Sequence, residues 1–277
     1  MIRKFYLVNE NENTFMLTGY GRNKTDIESL DNLGFEFDIE YHEFDARFVE
    51  IKRTIPQKTI SMTLVFYEGY DGFTKWREFV TKSKTLRLFY SLKDTKYCYV
   101  NVKSSSKTQL EAGILRSNVE LECLSLWLVN KSAVINVTRT DDGKIYPYTY
   151  PYTYAISFNG TVEVENLSSR SVPMKLTIEG NVYNPRVIIR QQEREVATFR
   201  LLTDERENPT IVVNADPTDQ YIVKFVDGDE IDIYSLQDFS KENFLFLPPG
   251  RSEIFFDPGV RESSKCTIEF KEEYIAH

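Results

Sequence analysis

Histidine, the most common general acid or base near neutral pH, occurs at only two positions of this 277-residue chain, His42 and His277. His277 is the last residue, so a serine or cysteine nucleophile assisted by histidine would have to use His42. His42 lies between Tyr41 and Glu43 in a strand-like run, and the sequence has no Gly-x-Ser-x-Gly, phosphate-loop or His-Glu-x-x-His motif. We therefore interpret His42 as an ordinary surface or partly packed histidine.

Acidic residues offer a second kind of chemistry, since paired carboxylates hydrolyse glycosides. The 42 acidic residues provide many pairs, and no single pair stands out. The densest cluster comprises Asp227, Asp229, Glu230 and Asp232, which lack the spacing of a calcium-binding loop. A solvated turn between two strands accounts for this cluster. We expect a protein that is not an enzyme.

The cysteines and the net charge indicate what the chain does not bind. Cys98, Cys123 and Cys266 are too few and too widely spaced for a disulfide framework or a zinc site, so we expect free core thiols, no metal and no cofactor. The chain carries 34 basic and 42 acidic residues, and its net charge of −8 is opposite in sign to the usual surface of a nucleic-acid binder. We expect no nucleic acid among its partners.

Apolar runs are short throughout the sequence. The run near the N-terminus extends only from Phe5 to Val8, and the longest dense run is Leu124 to Val129. Both are far shorter than the roughly 20 residues of a membrane helix. We therefore expect no membrane insertion and a protein that is made and folded in a cytosol.

Strand signals dominate the first half of the chain. Aromatic residues make up 14% of the sequence and only 12 residues are glycine, a balance that favours strands. Alternation from Thr59 to Tyr67 predicts a half-buried strand with Ile60, Met62, Leu64 and Phe66 on its apolar face.

A hairpin and a further strand are predicted later in this half. The runs Leu86 to Leu92 and Tyr97 to Val102 are joined by Lys93-Asp94-Thr95-Lys96, a polar connection of hairpin length. Val119 to Val129 then predicts one long strand with Cys123 and Trp127 on its apolar face.

One helix is predicted, from Asp71 to Lys82, with Asp71 as its N-cap. Its apolar residues follow the three-and-four spacing of a single stripe, which predicts that one side packs on a sheet while the other faces water. The stripe comprises Phe73, Trp76, Phe79 and Val80.

The chain changes character after Asp142, where tyrosines and prolines alternate up to Tyr154. Pro147 and Pro151 lack backbone donors and favour extended conformations, which predicts a linker. We expect an N-terminal domain at 1–142, a Tyr/Pro linker at 143–154 and a C-terminal domain at 155–277. The tyrosines of this linker could pack on the chain's own domains, contact another protein or stack on sugar rings. We take four of them as candidate protein-contact residues: Tyr146, Tyr148, Tyr150 and Tyr152.

Short strands follow one another beyond this segment, with turn residues roughly every eight to twelve positions. No good helix lies between them, so the pattern favours an antiparallel sandwich over βαβ units. Asn159-Gly160 predicts a hairpin turn between Tyr154 to Phe158 and Thr161 to Glu165. The other predicted strands are Val172 to Glu179, Arg186 to Arg190, Glu195 to Leu202, Thr210 to Asn214, Tyr221 to Val226, Glu230 to Tyr234, Ser252 to Phe256 and Cys266 to Phe270.

Two motifs in the last hundred residues carry a family resemblance. One is Gly180-Asn181-Val182-Tyr183-Asn184-Pro185, followed by the strand from Arg186 to Arg190. The other is Phe244-Leu245-Phe246-Leu247-Pro248-Pro249-Gly250. Together with the N-terminal order of strands, a helix after Tyr70 and a hairpin, they resemble the distal tail proteins of siphophages, the long-tailed phages with flexible tails.

This resemblance implies a mainly β protein, with a ring-forming N-terminal β-rich domain containing one helix and a C-terminal galectin-like antiparallel β-sandwich. It implies a non-enzymatic structural component of a phage tail tip or baseplate. Six copies would form a ring that joins the tail tube to the tail-tip or adsorption apparatus. The implied partners are other copies of the chain, the tail tube protein and the tail-tip or baseplate hub protein. The implied location is the virion, after assembly in the host bacterial cytoplasm.

A closed ring requires heterologous interfaces, in which one edge of each subunit meets the opposite edge of the next. We expect the Lys93–Lys96 hairpin to reach a neighbouring subunit, because it is polar and protruding. Lys93, Asp94, Thr95 and Lys96 are therefore further candidate protein-contact residues.

A function of another class also fits the sequence. A β-sandwich with exposed tyrosines could be a carbohydrate-binding module for recognition of the host cell surface, with weak glycan contact as its activity. A glycosidase is a third alternative, and it predicts that one acidic substitution abolishes turnover.

Overall fold

The computed structural model describes residues 3–19, 24–137, 159–260 and 262–276. The chain forms two compact units, here called the N-terminal unit (Met1–Val129 with Glu273–His277) and the C-terminal unit (Asn130–Glu272). The predicted Tyr/Pro linker at 143–154 and the predicted strand from Tyr154 to Phe158 lie outside the described residues.

Nine strands and the helix lie wholly within the N-terminal unit. They are β1 (Lys4–Asn9), β2 (Thr14–Met16), β3 (Thr25–Asp31), β4 (Asp38–Phe44), β5 (Arg47–Thr54), β6 (Thr59–Phe66), α1 (Tyr70–Lys82), β7 (Leu86–Ser91), β8 (Thr95–Ser105) and β9 (Leu115–Cys123).

Strand β10 (Trp127–Val137) begins in the N-terminal unit and continues in the C-terminal unit. The later strands are β11 (Gly160–Asn166), β12 (Val172–Glu179), β13 (Val182–Tyr183), β14 (Arg186–Gln191), β15 (Arg194–Arg200), β16 (Asp204–Glu205), β17 (Thr210–Asn214), β18 (Tyr221–Val226), β19 (Asp229–Asp232), β20 (Phe246–Leu247), β21 (Gly250–Asp257) and β22 (Ser264–Tyr274). A 3₁₀ turn covers Tyr234–Leu236.

Antiparallel pairing in the N-terminal unit gives the strand order β2-β1-β7-β8-β9-β6-β3. Strand β6 has the predicted alternation, and its apolar face is buried in the core. The predicted hairpin is present as β7 and β8, joined by Leu92–Asp94. This connection is one residue shorter than expected, because Thr95 already pairs with Ser91.

Helix α1 confirms the predicted helix almost residue for residue. Trp76 is buried, and its ring packs edge-on against Phe15 with centroids 5.4 Å apart. The expectation that Asp71 caps the helix was wrong: Gly69 is the N-cap, with φ of 58°, and Asp71 lies inside the first turn. A carboxylate there still favours the helix through the dipole.

The prediction of one long strand from Val119 to Val129 was also wrong. The strand is interrupted between β9 and β10, where the side chain of Ser125 replaces a backbone acceptor in the pairing with β8. Its Oγ accepts a hydrogen bond from the Tyr99 backbone N–H at 3.0 Å and donates to the Leu126 carbonyl at 2.9 Å. The run from Leu124 to Val129 is apolar apart from Ser125, and the side chain of this serine stabilises the turn.

The C-terminal unit is a sandwich of two antiparallel sheets. One has the order β19-β18-β17-β12-β22-β10 and the other β11-β21-β14-β15. Their inner faces share one core, in which Leu176 of β12 and Phe256 of β21 are fully buried. The predicted mainly β fold, with antiparallel sheets and one α-helix among the described residues, is confirmed.

Candidate assembly surface

The hairpin formed by β4 and β5 is the most exposed element of the N-terminal unit. Among the described residues, these two strands form a sheet with each other alone. Their register runs from Asp38 opposite Thr54 to Phe44 opposite Arg47, with an irregularity at Glu40/Tyr41. At about 3.4 Å per residue, the eight residues of β5 extend about 27 Å.

Large apolar side chains lie on both faces of this hairpin. Phe44 is 70% exposed, Phe48 67% and Ile51 63%, and Tyr41 and Val49 are also more than half exposed. By strand alternation, Tyr41 and Phe48 share one face, where their rings are 6.4 Å apart. Phe44 and Val49 share the other, and Ile51 lies unpaired at the irregularity. Summed over both faces, the three exposed aromatic rings of Tyr41, Phe44 and Phe48 present on the order of 400 Å² of apolar surface.

Charged residues are divided unevenly between the two strands. Strand β4 carries only acidic charges, at Asp38, Glu40 and Glu43. Strand β5 carries Arg47, Lys52 and Arg53 against one acidic residue, Glu50. One long edge of the hairpin is therefore acidic and the other is mainly basic.

Local contacts shape the hairpin without covering it. The Arg53 guanidinium donates two hydrogen bonds to the Glu50 carboxylate, at 3.0 and 2.6 Å, and lies 5.1 Å from the Phe37 ring centroid. The turn is formed by Asp45 and Ala46, with φ of 47° and 55°. Positive φ at both positions is the geometry of a type I′ hairpin turn, here formed without glycine.

Sequence reasoning recognised only a strand-like run around His42 in this region. His42 is an exposed residue of β4 opposite Val49, in keeping with the interpretation as a surface histidine. The hairpin was missed because neither the Asn-Gly type of turn signal nor a single apolar face is present. A signal did exist: five aromatic residues stand among charges between 35 and 48.

The sequence-predicted candidates have different surroundings. Lys93, Asp94 and Thr95 are exposed at the β7–β8 turn. Lys96 belongs to β8, and its Nζ lies 4.0 Å from the Tyr274 ring centroid. The four tyrosines lie outside the described residues: Tyr146, Tyr148, Tyr150 and Tyr152. Whether either set contacts a partner stays a prediction.

The acidic cluster near Asp227 is the solvated turn that the sequence predicts. Asp227 and Gly228, with φ of 53° and 93°, connect β18 to β19, and the residues of β19 are exposed. Within the part of the chain that the structure describes, no group of three or more histidine, cysteine or acidic side chains is arranged to hold a metal ion. No described helix has the length and apolar character needed to cross a membrane.

Comparison with known proteins relates this chain to phage tails. Residues 4–124 match the family model of the distal tail protein, N-terminal domain. No match is found among curated proteins.

Two solved structures share the fold over nearly the whole chain. One is a chain of the phage P2 baseplate in its activated conformation with Ca, which is 15% identical with a TM-score of 0.66 and full coverage of both chains. The other is the Dit protein of phage SPP1, described as a paradigm of the hub adsorption apparatus in phages that infect Gram-positive bacteria. It is 10% identical, with a TM-score of 0.65 and coverage of 98% of this chain and 99% of that one.

These relatives are structural parts of tails and baseplates, so they do not favour the alternative of a carbohydrate-binding module. The resemblance predicted from the sequence is confirmed: residues 4–124 match the model of the distal tail protein, N-terminal domain, and the chain shares its fold with these two phage proteins.

Proposed function

We propose that this chain is a non-enzymatic structural component of a phage tail tip or baseplate. Six copies form a ring that joins the tail tube protein to the tail-tip or baseplate hub protein. The ring assembles in the host bacterial cytoplasm and resides in the virion. The observation that carries the proposal is the uncovered β4–β5 hairpin on a unit that matches the distal tail protein family.

The hairpin supports assembly with further copies of the same chain. A closed ring uses heterologous contacts, so the two surfaces of one interface must differ. The acidic edge at β4 and the mainly basic edge at β5 differ in this way, and they are complementary in sign. Charge complementarity of this kind fixes orientation and excludes like-with-like pairing.

Apolar burial supplies the driving force for this contact. At about 25 cal/mol per Å², covering on the order of 400 Å² of aromatic surface contributes roughly 10 kcal/mol per interface before costs. Association costs about 4–15 kcal/mol, so the aromatic surface alone brings one contact near balance. Closing a ring gives every subunit two contacts, which favours the complete ring over open intermediates.

The absolute mass of the purified protein tests this function. Light scattering over a wide concentration range is expected to reveal a species of six 32.4 kDa chains, about 194 kDa, that is ring-shaped in negative stain. A strict monomer at every concentration, also after addition of the tail tube protein, would contradict the proposal.

The β7–β8 turn is a second expected contact with the neighbouring subunit. Reversing its charges with Lys93→Glu and Asp94→Lys is expected to weaken the ring several-fold, because exposed pairs each contribute about 0.2–1 kcal/mol. The measurement is the midpoint of ring dissociation on dilution. Reversal of the exposed pair Arg206 and Asp204 in the C-terminal unit is the matched control. An unchanged midpoint would place the turn outside the interface.

A further inference from the structure

Two thiols lie side by side in the core of the N-terminal unit. Cys123 is the last residue of β9 and stands opposite Val100 of β8. Cys98, two residues before Val100, therefore lies on the same face of the sheet and diagonally across from Cys123. The two thiols are within hydrogen-bonding distance of each other. Both are free and belong to the same buried cluster.

The surroundings make the two thiols unequal. Cys98 is 1% exposed, whereas Cys123 is 7% exposed at the point where β9 ends. The hydrogen bond from the Cys98 thiol and the positive charge of Lys58 lower the pKa of Cys123, against the opposing effect of burial. The same hydrogen bond and burial raise the pKa of Cys98. Cys123, the more acidic thiol and the one at the strand end, is therefore the first to react in the exchange proposed below, and Cys98 is the second.

The backbone around Cys123 holds Lys58 in place. The Cys123 N–H donates to the Lys58 carbonyl at 2.8 Å, and the Gln57 side chain donates to the Cys123 carbonyl at 3.3 Å. The Lys58 ammonium donates to the Gly34 carbonyl. Lys58 is partly desolvated, and burial lowers its pKa.

We propose that Cys98 and Cys123 are an oxidation site of this protein, at which a low-molecular-weight disulfide converts the two thiols into a disulfide between β8 and β9. The inference rests on the register, the thiol–thiol contact and the position at a strand end. It does not depend on the proposed function.

The reaction is an exchange of disulfides. The Cys123 thiolate attacks one sulfur of oxidised glutathione, and the first glutathione leaves as a thiolate. Cys98 passes its proton to water and attacks the Cys123 sulfur, which releases the second glutathione. Two electrons pass from the protein to glutathione, and each glutathione thiolate takes up one proton. The oxidant reaches Cys123 through local opening of the end of β9, next to the break before β10.

The test uses the full-length protein, incubated natively with oxidised glutathione and then denatured for thiol titration and mass spectrometry. The thiol count is expected to fall from three to one, with a mass loss of about 2 Da and a Cys98–Cys123 link in the peptide map. Cys266, fully buried alone in the C-terminal unit, is expected to stay reduced.

Single variants separate the two roles. Cys98→Ser is expected to stop at one glutathione bound to Cys123, whereas Cys266→Ser is the matched control and is expected to form the disulfide as before. Three results would each overturn the proposal: a thiol count that stays at three, a disulfide that includes Cys266, or glutathione addition to the unaltered protein without formation of the Cys98–Cys123 disulfide. The experiment on the unaltered protein decides the question even if a variant fails to fold.

Discussion

The triple variant Phe44→Lys, Phe48→Lys and Ile51→Lys is expected to stay a folded monomer and to lose the ring entirely. These side chains belong to the β4–β5 hairpin, each is more than 60% exposed, and none belongs to the buried core of its own unit. Their replacement therefore leaves the monomer core unchanged. At an interface, three lysines remove a large part of the roughly 10 kcal/mol gained from apolar burial. They also add the free-energy cost of taking three charges out of water. Light scattering and circular dichroism measure the two outcomes separately.

A matched control introduces the same three lysines at exposed apolar positions outside the hairpin. Leu167, Val196 and Leu202 are also exposed apolar residues, and they belong to the C-terminal unit. Lysine at these three positions adds the same charge to the chain and is expected to leave the ring intact. A ring that persists in the hairpin variant, or one that is lost equally in the control, would contradict a role of the hairpin in assembly.

Gly259→Ala is expected to destabilise the C-terminal unit by about 3 kcal/mol or more. Gly259 has φ of 70°, and a Cβ at this position would stand 1.8 Å from the Tyr183 carbonyl oxygen, which is backbone and has no flexible end. The neighbourhood is fixed by hydrogen bonds from the Tyr183 N–H to the Pro258 carbonyl at 2.8 Å and from the Gly259 N–H to the Asp257 carboxylate at 2.9 Å. The measurement is the free energy of unfolding in urea.

Gly228→Ala separates steric conflict from backbone strain in this experiment. Gly228 also has a positive φ, 93°, but a Cβ there would meet no heavy atom within 4 Å. Its expected cost is only the penalty for the left-handed region, about 1–2 kcal/mol. Equal losses of stability in the two variants would show that the contact between Gly259 and Tyr183 carries no cost of its own.

The sequence predicted the fold best where one face of a strand or helix is buried. The bounds of β12, β17 and β18 were predicted residue for residue, since each alternates or is apolar between clear turn signals. Helix α1 was found for the same reason. The break after Cys123 was missed because Leu124 and Leu126 continue the apolar run, and only the hydrogen bonds of Ser125 reveal the turn.

The candidate surface could not be predicted in the same way. Periodicity reports which side of an element faces its own core, and the β4–β5 hairpin has no such side. In the proposed ring its partner lies in another molecule, and residues that serve assembly in this way look irregular within one chain. For Cys98 and Cys123 the sequence predicts only free core thiols, because their contact depends on the register of β8 and β9, which spacing in sequence does not give.

The isolation of the hairpin also has a kinetic consequence for its backbone. In a free chain, the amides of β4 and β5 are held by a single ladder of hydrogen bonds with water on both sides, so brief openings expose them to deuterium. Strand β6 lies between β3 and β9, and its amides exchange only when the sheet itself opens. The ratio of the two exchange rates measures how much of the hairpin is covered at any moment. Pulsed labelling during assembly would therefore give the time at which each subunit closes on its neighbour, without any attached probe.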